Sequence, residues 1–204
     1  MTSIAVALLV AAVQPGSAAA AVQKTQDGVR KSLNAWFKSA GPARAKARAQ
    51  ARNAVADLID FDELSKSTLG KEWDKLKPAD RRRYTDALKG AMEANYLAKM
   101  RQGNTSEVDK VKSEVLGEER QGEKVIVHTR VQSGQDSAAI DYLMEKRPKG
   151  WRAVDVITEG VSLADTYREQ VAKLLPKKGF DGVVSALEKK RKALEAEEEK
   201  PTKS

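Results

Sequence analysis

The sequence predicts an α+β fold in which N-terminal and C-terminal helices pack on an antiparallel sheet of about four strands. Apolar residues recur at helical spacing through the first half of the chain, alternate with polar ones from about residue 107 to 158, and return to helical spacing after residue 162. Helices before and after a run of short strands are typical of α+β domains. A chain of 204 residues is long enough for one such domain with a sizeable core.

The start of the chain has the composition of a secretory leader. It carries no charged residue up to Ala21, and the apolar run over residues 4–13 is too short to span a bilayer. Small residues between Ala19 and Ala21 permit cleavage by a signal peptidase. An N-terminal helix that merely resembles a leader is the alternative. We therefore expect a secretory signal peptide over residues 1–21, a single domain over residues 22–194 and a charged, disordered tail over residues 195–204.

Two helices are predicted to follow the leader. Residues 22–40 carry an apolar face and end at the helix breakers Gly41 and Pro42. Residues 43–59 begin by alternating alanine with basic residues, and the helix propensity of alanine predicts a helix with a basic, solvated start rather than a strand. The apolar face of the first helix comprises Val22, Val29, Leu33, Trp36 and Phe37.

Capping signals mark the next two helices. Asp60 and Glu63 have capping-box spacing and begin a short helix that ends at Gly70. Pro78, two residues before Asp80, lies in the first turn of a longer helix. The apolar stripe of that longer helix comprises Tyr84, Leu88, Met92, Tyr96 and Met100.

Alternating polarity predicts the strands. Residues 123–132 and 137–145 alternate, a short turn separates them, and residues 147–150 form a second turn before a strand that begins at Trp151. A weaker strand over residues 108–116 joins the antiparallel meander. On the first two strands, one face is expected to carry Val125, Val127, Thr129, Val131, Ala138, Ile140, Tyr142 and Met144, and the other face Ile126, His128, Arg130, Ala139, Asp141, Leu143 and Glu145.

The strand that begins at Trp151 leads directly into a helix. A buried Asp155 requires a partner, and Arg130 on a neighbouring strand is the predicted one. Ser162 and Asp165 have capping-box spacing and begin a helix that stops at Pro176 and Gly179, before a final helix over residues 180–194. Continued alternation places Trp151, Ala153, Asp155 and Ile157 on one strand face, and Val154 and Val156 on the other.

The sequence lacks the motifs of common enzymes. His128 is the only histidine, there is no cysteine, and no glycine spacing matches a phosphate-binding loop. A nucleophilic triad, a zinc site and an ATPase are therefore excluded, and we expect neither catalytic residues nor a metal. The net charge of +8 indicates affinity for anionic surfaces or partners.

Two stretches, residues 60–100 and 151–187, resemble the MlaC family of periplasmic phospholipid-binding proteins, also called toluene-tolerance auxiliary components. The order and spacing of several short motifs carry the resemblance, and together they cover most of the chain after residue 21. The motifs are Phe61-Asp62, Leu69-Gly70 followed by Trp73, Pro78 before a helix that ends near Tyr96-Leu97, Trp151 with Asp155, Glu159-Gly160-Val161-Ser162 and Gly179-Phe180-Asp181-Gly182.

The resemblance implies a fold similar to nuclear-transport-factor-2-like domains, with an apolar pocket for acyl chains between the sheet and the helices. It also implies a periplasmic carrier that moves phospholipid between an inner-membrane ABC-type transporter complex and an outer-membrane lipoprotein assembly. Phospholipid would then be cargo, and no cofactor is expected. We further expect a monomer that binds no nucleic acid.

Apolar residues on the predicted helix stripes and strands are the candidates for the lining of this lipid pocket. The sequence does not decide which face of the sheet lines the pocket and which packs on helices. The candidates are Leu69, Trp73, Leu88, Met92, Tyr96, Met100, Val125, Val127, Ile140, Tyr142, Met144, Val154 and Val156, with Val161 and Tyr167 at the edge.

Three alternatives stay open at this stage. A carrier of the same fold could bind hopanoid or another isoprenoid lipid instead of phospholipid. A basic protein retained in the cytoplasm could bind nucleic acid through the arginines of residues 44–52 and 81–83, although no aromatic residues are interleaved with them. An enzyme of the same fold could use Asp155 or Asp141 as a base, which fold analogy alone supports.

Overall fold

The computed structural model describes residues 13–102 and 111–198, and in this part of the chain six helices and five strands form an α+β fold. Five helices precede the sheet and one long helix follows it, as the change in hydrophobic period predicted. The elements are α1 Ala18–Lys38, α2 Gly41–Leu58, α3 Phe61–Leu69, α4 Glu72–Lys75, α5 Pro78–Gln102, β1 Lys112–Gln121, β2 Lys124–Ser133, β3 Asp136–Arg147, β4 Gly150–Thr158, β5 Val161–Ser162 and α6 Leu163–Glu198.

Local capping explains where the central helices begin. The Asp60 carboxylate accepts a hydrogen bond from the Glu63 backbone N–H at 3.1 Å, so the predicted capping signal at the start of α3 is confirmed. The helix ends at Gly70, whose φ of 56° is a conformation that glycine adopts at low cost. Pro78 begins α5, where the absence of a backbone N–H is harmless.

Helix α1 begins at Ala18, within the segment expected to be a leader. The Ser17 hydroxyl accepts a hydrogen bond from the Ala20 N–H at 3.1 Å, and the Glu118 carboxylate on β1 accepts one from the Ala19 N–H at 2.9 Å. Ala18 and Ala19 are both buried. An alanine run suits a helix as well as a leader, and these contacts show that the helix includes the alanines. Cleavage near residue 21 stays a prediction.

Helix α6 contains a break and extends beyond the expected end of the domain. Gly179 has φ 64° and ψ −177° within it, so the chain turns where the sequence predicted a stop between two helices. The C-terminal part continues to Glu198, into the segment expected to be a disordered tail. Arg52 on α2 pairs with Glu195 at 2.9 Å and holds this last turn against the helical layer.

The sheet is an antiparallel meander with the strand order β1-β2-β3-β4-β5, of which β5 is only two residues long. Val127 pairs with Tyr142 and Val125 with Met144, so the predicted faces of β2 and β3 are confirmed. One face is the core face, because Val125, Val127 and Met144 are buried on it. On the other face the His128 side chain is 38% exposed.

A β-bulge at Val154 makes the predicted faces of β4 wrong. Met144 pairs with Ala153 whereas Leu143 pairs with Asp155, so Val154 has no partner and the alternation shifts by one residue. Ala153 and Val156 consequently lie on the core face, and Asp155 lies on the opposite face together with Ile157. A pattern of period two cannot anticipate an inserted residue.

The predicted pairing of Asp155 with Arg130 is also wrong. Strand β3 separates β2 from β4, and Arg130 is exposed opposite Ala139. The Asp155 carboxylate instead accepts hydrogen bonds from residues that follow it closely in the chain. Its donors are the Val156 N–H at 2.8 Å, the Ser162 hydroxyl and the Ala164 N–H at 3.0 Å.

Buried apolar side chains form two separate clusters. The first, here called the main cluster, joins the core face of the sheet to α3, α5, α6 and the ends of α1 and α2. The second, here called the hairpin cluster, lies where the α1–α2 hairpin meets α5. The main cluster includes Val22, Leu58, Leu64, Leu69, Trp73, Leu88, Met92, Val125, Val127, Met144, Tyr167 and Val184, and the hairpin cluster consists of Val29, Leu33, Trp36, Ala47, Ala51 and Leu97.

Candidate functional site

The candidate site is the interior between the core face of the sheet and the helices. The joint between α2 and α3 anchors the helices to the sheet edge, because Ile59 bridges to Ala153 and the Asp60 N–H donates to the Ala153 carbonyl at 2.8 Å. Arg147 at the end of β3 holds the same joint through the Asp60 carboxylate, 2.9 Å from its Nε. The helices are thus fixed above the apolar face.

Most residues predicted to line a pocket meet in this interior. Tyr142 and Val156 are partly buried and pack against the main cluster, and Tyr96 packs against the hairpin cluster. The candidate residues of the strands thus lie mainly on the core face, whereas the sequence did not decide between the two faces of the sheet. The predicted residues buried within the main cluster are Leu69, Trp73, Leu88, Met92, Val125, Val127, Met144 and Tyr167.

The other four predicted residues are not part of either buried cluster as described, except that Ile140 extends the core face. Ile140 is half-buried on the core face next to the β2–β3 turn, and Val154 is buried at the bulge. Val161 on β5 is 61% exposed, so its side chain is presented to solvent and not to the interior. Met100 belongs to α5, and its side chain lies outside the described residues.

The two apolar clusters meet at Val55, which packs against both, and near a seam of three polar side chains: Gln26 on α1, Tyr96 on α5 and Tyr142 on β3. Gln26 lies between Val22 of the main cluster and Val29 of the hairpin cluster. Burial raises the pKa of Tyr96 and of Tyr142; the neighbouring Tyr142 raises that of Tyr96 further, and a hydrogen bond from Gln26 opposes the shift of Tyr142. Both phenols therefore stay neutral at physiological pH, and the seam is polar without being charged.

A small cleft between α2 and α5 reaches the seam from the surface. It is lined by Arg52, Val55, Glu93, Tyr96 and Leu97. Burial raises the pKa of the Glu93 carboxyl, and the neighbouring Lys89 and Arg52 oppose that shift. The cleft has room for about one water molecule, and its lining includes the ionisable Arg52 and Glu93 as well as apolar residues.

A second group of buried hydroxyls lies between α3, α5 and α6. The Thr68 and Tyr84 hydroxyls are 2.8 Å apart, while the buried Ser65 and Tyr167 hydroxyls make no hydrogen bond. Burial raises the pKa of Tyr84 to about 12 and that of Tyr167 to about 12. These tyrosines fix the position of α6 over the interior with their rings, and remain protonated at any physiological pH.

Groups that could hold a metal are not found within residues 13–102 and 111–198. His128 lies on the outer face of the sheet, where its Nδ1 is 3.2 Å from Asp141 and its Nε2 is 3.7 Å from Glu119. None of the helices in the described part of the chain is both long and apolar enough to cross a membrane.

Sequence reasoning missed several residues of this interior. Val29, Leu33 and Trp36 pack from α1 into the hairpin cluster, although their stripe was visible in the sequence, and Gln26 lies beside Tyr142 of β3. Gln26 could have been found by its phase, because it lies four residues after Val22 and three before Val29. Ala153 was missed because the bulge turns it to the core face.

The architecture defines the class of protein: an α+β domain whose helices close over one apolar face of an antiparallel meander. Within that class, the chain belongs to the MlaC family, because the family model described as MlaC protein matches residues 23–189. The resemblance inferred from the motifs is thereby confirmed.

A solved structure supports the same fold. The phospholipid-binding protein from Ralstonia solanacearum, determined in complex with a phospholipid, superposes with a TM-score of 0.74. The two sequences are 22% identical, and the match covers 88% of this chain and 99% of that one. At this identity the likeness is one of fold, and it agrees with the predicted arrangement of helices on an antiparallel sheet.

Proposed function

We propose that this protein is a periplasmic phospholipid carrier that holds acyl chains between the core face of the sheet and the helices. It would accept or deliver lipid at an inner-membrane ABC-type transporter complex and at an outer-membrane lipoprotein assembly. The observation that carries the proposal is the divided apolar interior beneath the helices, in a member of the MlaC family whose fold matches a structure with bound phospholipid.

The physical need for such a carrier is large. Moving an acyl chain from a membrane into water costs about 0.8 kcal/mol per methylene, or on the order of 12 kcal/mol for a long chain. An apolar interior replaces water around the chain and makes transfer between membrane and protein nearly balanced. The direction of transport must then come from partners that bind one state better than the other.

The core face is suited to this role because it is apolar and already closed by helices. Val127, Met144 and Ala153 are fully buried along it, and Tyr142 and Val156 continue the surface towards the seam. An acyl chain that runs along this face would replace contacts between the two clusters with contacts of the same kind. Burial of the chain supplies the free energy that opens the interior.

The test is native mass spectrometry of the protein purified from cells, followed by lipid extraction and by uptake of phospholipid from vesicles. We expect bound phospholipid and saturable uptake. A protein that is free of lipid and takes up none from vesicles would contradict the proposal. Bound hopanoid in place of phospholipid would favour the isoprenoid alternative, and DNA binding that weakens steeply with salt would favour the nucleic-acid alternative.

A pair of matched variants tests which face of the sheet contacts the acyl chains. Ile140→Glu places a carboxylate on the core face, and Ile126→Glu places one on the outer face; both isoleucines are half-buried in the same sheet. A carboxylate among acyl chains must be desolvated or protonated, so we expect Ile140→Glu to lower lipid occupancy at least about tenfold. Ile126→Glu should leave occupancy within about twofold, with unchanged circular dichroism for both variants.

A further inference from the structure

The apolar stripe of α1 is interrupted by the polar side chain of Gln26. Val22, Gln26, Val29 and Leu33 follow one another at spacings of four, three and four residues, so Gln26 lies on the same face as its apolar neighbours. An aliphatic residue there would pack the two clusters into one. Packing alone therefore does not explain why a glutamine occupies this position.

The Gln26 amide nitrogen is buried and makes no well-formed hydrogen bond. Buried amide donors in folded proteins are nearly always bonded, because an unbonded one loses its hydration without compensation. The Tyr142 phenol on the core face lies within hydrogen-bonding reach of the Gln26 side chain and can take one of its N–H donors. Its amide group carries two N–H donors, so at least one is free for an acceptor inside the seam.

The surroundings restrict what that acceptor can be. The seam lies between two apolar clusters and is bordered by the neutral phenols of Tyr96 and Tyr142. A phosphate or carboxylate would bring a charge among these groups, whereas a neutral carbonyl oxygen would satisfy an amide N–H without that penalty. In a diacyl phospholipid, the ester carbonyls are the neutral acceptors nearest to the acyl chains.

We propose that Gln26 donates a hydrogen bond to an ester carbonyl of the bound lipid and so selects ester-linked acyl chains. This inference rests on the proposed function. It separates glycerophospholipids from hydrocarbon ligands such as hopanoids, whose ring skeleton offers no acceptor at that depth. It also predicts the register of the lipid: the glycerol esters lie at the seam, with the chains along the core face and the phosphate towards the cleft at Arg52 and Glu93.

The test compares two phosphatidylglycerols with identical saturated chains, one ester-linked and one ether-linked, in competition for the delipidated protein. An ether oxygen is a much weaker acceptor than a carbonyl, so we expect the wild type to prefer the ester lipid about three- to tenfold. Gln26→Leu should bring the two affinities within about twofold of each other. Gln23→Leu is the control, because Gln23 is exposed on the same helix and should keep the wild-type preference.

Infrared spectroscopy of lipid with ¹³C-labelled ester carbonyls gives a second readout. A hydrogen-bonded carbonyl absorbs at lower frequency, so the bound lipid should show a shifted band in the wild type and in Gln23→Leu, but not in Gln26→Leu. Equal affinities of the wild type for ester and ether lipids would overturn the role of Gln26, even if the variant failed to fold. Failure of the wild type to bind either lipid would instead overturn the proposed function.

Discussion

Replacement of Asp155 by alanine should destabilise the protein through the joint between β4 and α6. The carboxylate accepts three hydrogen bonds, from the backbone N–H groups of Val156 and Ala164 and from the Ser162 hydroxyl. Two of these donors lie in β5 and the first turn of α6, so one side chain holds strand and helix together. Alanine at this position leaves all three donors to be satisfied by water or not at all.

The magnitude follows from the number of donors and from partial exposure. Asp155 is half-buried, so each bond is assigned about 1 kcal/mol, near the low end for bonds to a charged group. The loss of three bonds then lowers the free energy of unfolding by about 3 kcal/mol. Asp155→Asn keeps an acceptor oxygen for the two N–H groups and should lose only about 1 kcal/mol.

Urea unfolding followed by circular dichroism measures these differences. Arg130→Ala is the informative control, since the structure leaves Arg130 exposed on a strand that does not adjoin β4, and its loss should change stability by less than about 0.5 kcal/mol. A loss below about 1 kcal/mol for Asp155→Ala, or an equal loss for Arg130→Ala, would refute the assignment. Ser162→Ala completes a double-mutant cycle and should couple to Asp155.

Two further predictions concern alkaline pH and the N-terminus. Burial raises the pKa of Tyr84 and Tyr167 to about 12, while an unfolded tyrosine titrates near 10. The contribution of these tyrosines to the free energy of unfolding is therefore fully present below pH 10 and is lost as the pH rises above it. Urea titrations at pH 11 should show a loss of about 1 kcal/mol per tyrosine. Tyr84→Phe should remove its share of that slope, and an unchanged slope would contradict it. A protein that lacks residues 1–21 should be about 2 kcal/mol less stable than one that lacks only residues 1–16, because the shorter deletion keeps the Ser17 cap and the buried alanines. Equal stability of the two proteins would argue against a stabilising role for these contacts.

Much of the fold was predictable because local signals agreed with one another. The alternation in β2 and β3 fixed both faces, since a strand buried on one side tolerates only one register. The capping signal at Asp60 and the break at Gly179 were predictable for the same reason, because few residues suit those backbone positions. The family resemblance then supplied the arrangement of helices over the sheet.

The strand β4 was not predictable in detail because a bulge changes the phase of everything after it. Val154 is unpaired, and this single residue moves Asp155 to the outer face and Val156 to the core face. In retrospect, the adjacent apolar pairs Ala153-Val154 and Val156-Ile157 interrupt strict alternation. Those pairs fit a strand that changes phase, but sequence alone does not distinguish a bulge from a strand that is apolar on both faces.

The candidate site was only partly predictable because its shape depends on how two clusters meet. The sequence supplied stripes of apolar residues on α1 and α5, but the division between Val22 and Val29 on one helix and between Met92 and Leu97 on the other arises from tertiary packing. Gln26 gains its significance only from that division. A glutamine within a stripe is unremarkable until the groups facing it are known.

The division of the core has a consequence for how a ligand could enter. A single close-packed core must lose many contacts at once to admit a chain, because protein interiors have few voids. Here the buried residues form two clusters that meet at Val55, Tyr96 and Tyr142, and Val55 and Tyr96 also line the cleft between α2 and α5. Separation along the seam keeps each cluster intact, so the free energy needed is confined to the contacts between them. The Arg52–Glu195 pair, which ties α2 to the end of α6 beside this cleft, is then the contact that any opening must accommodate.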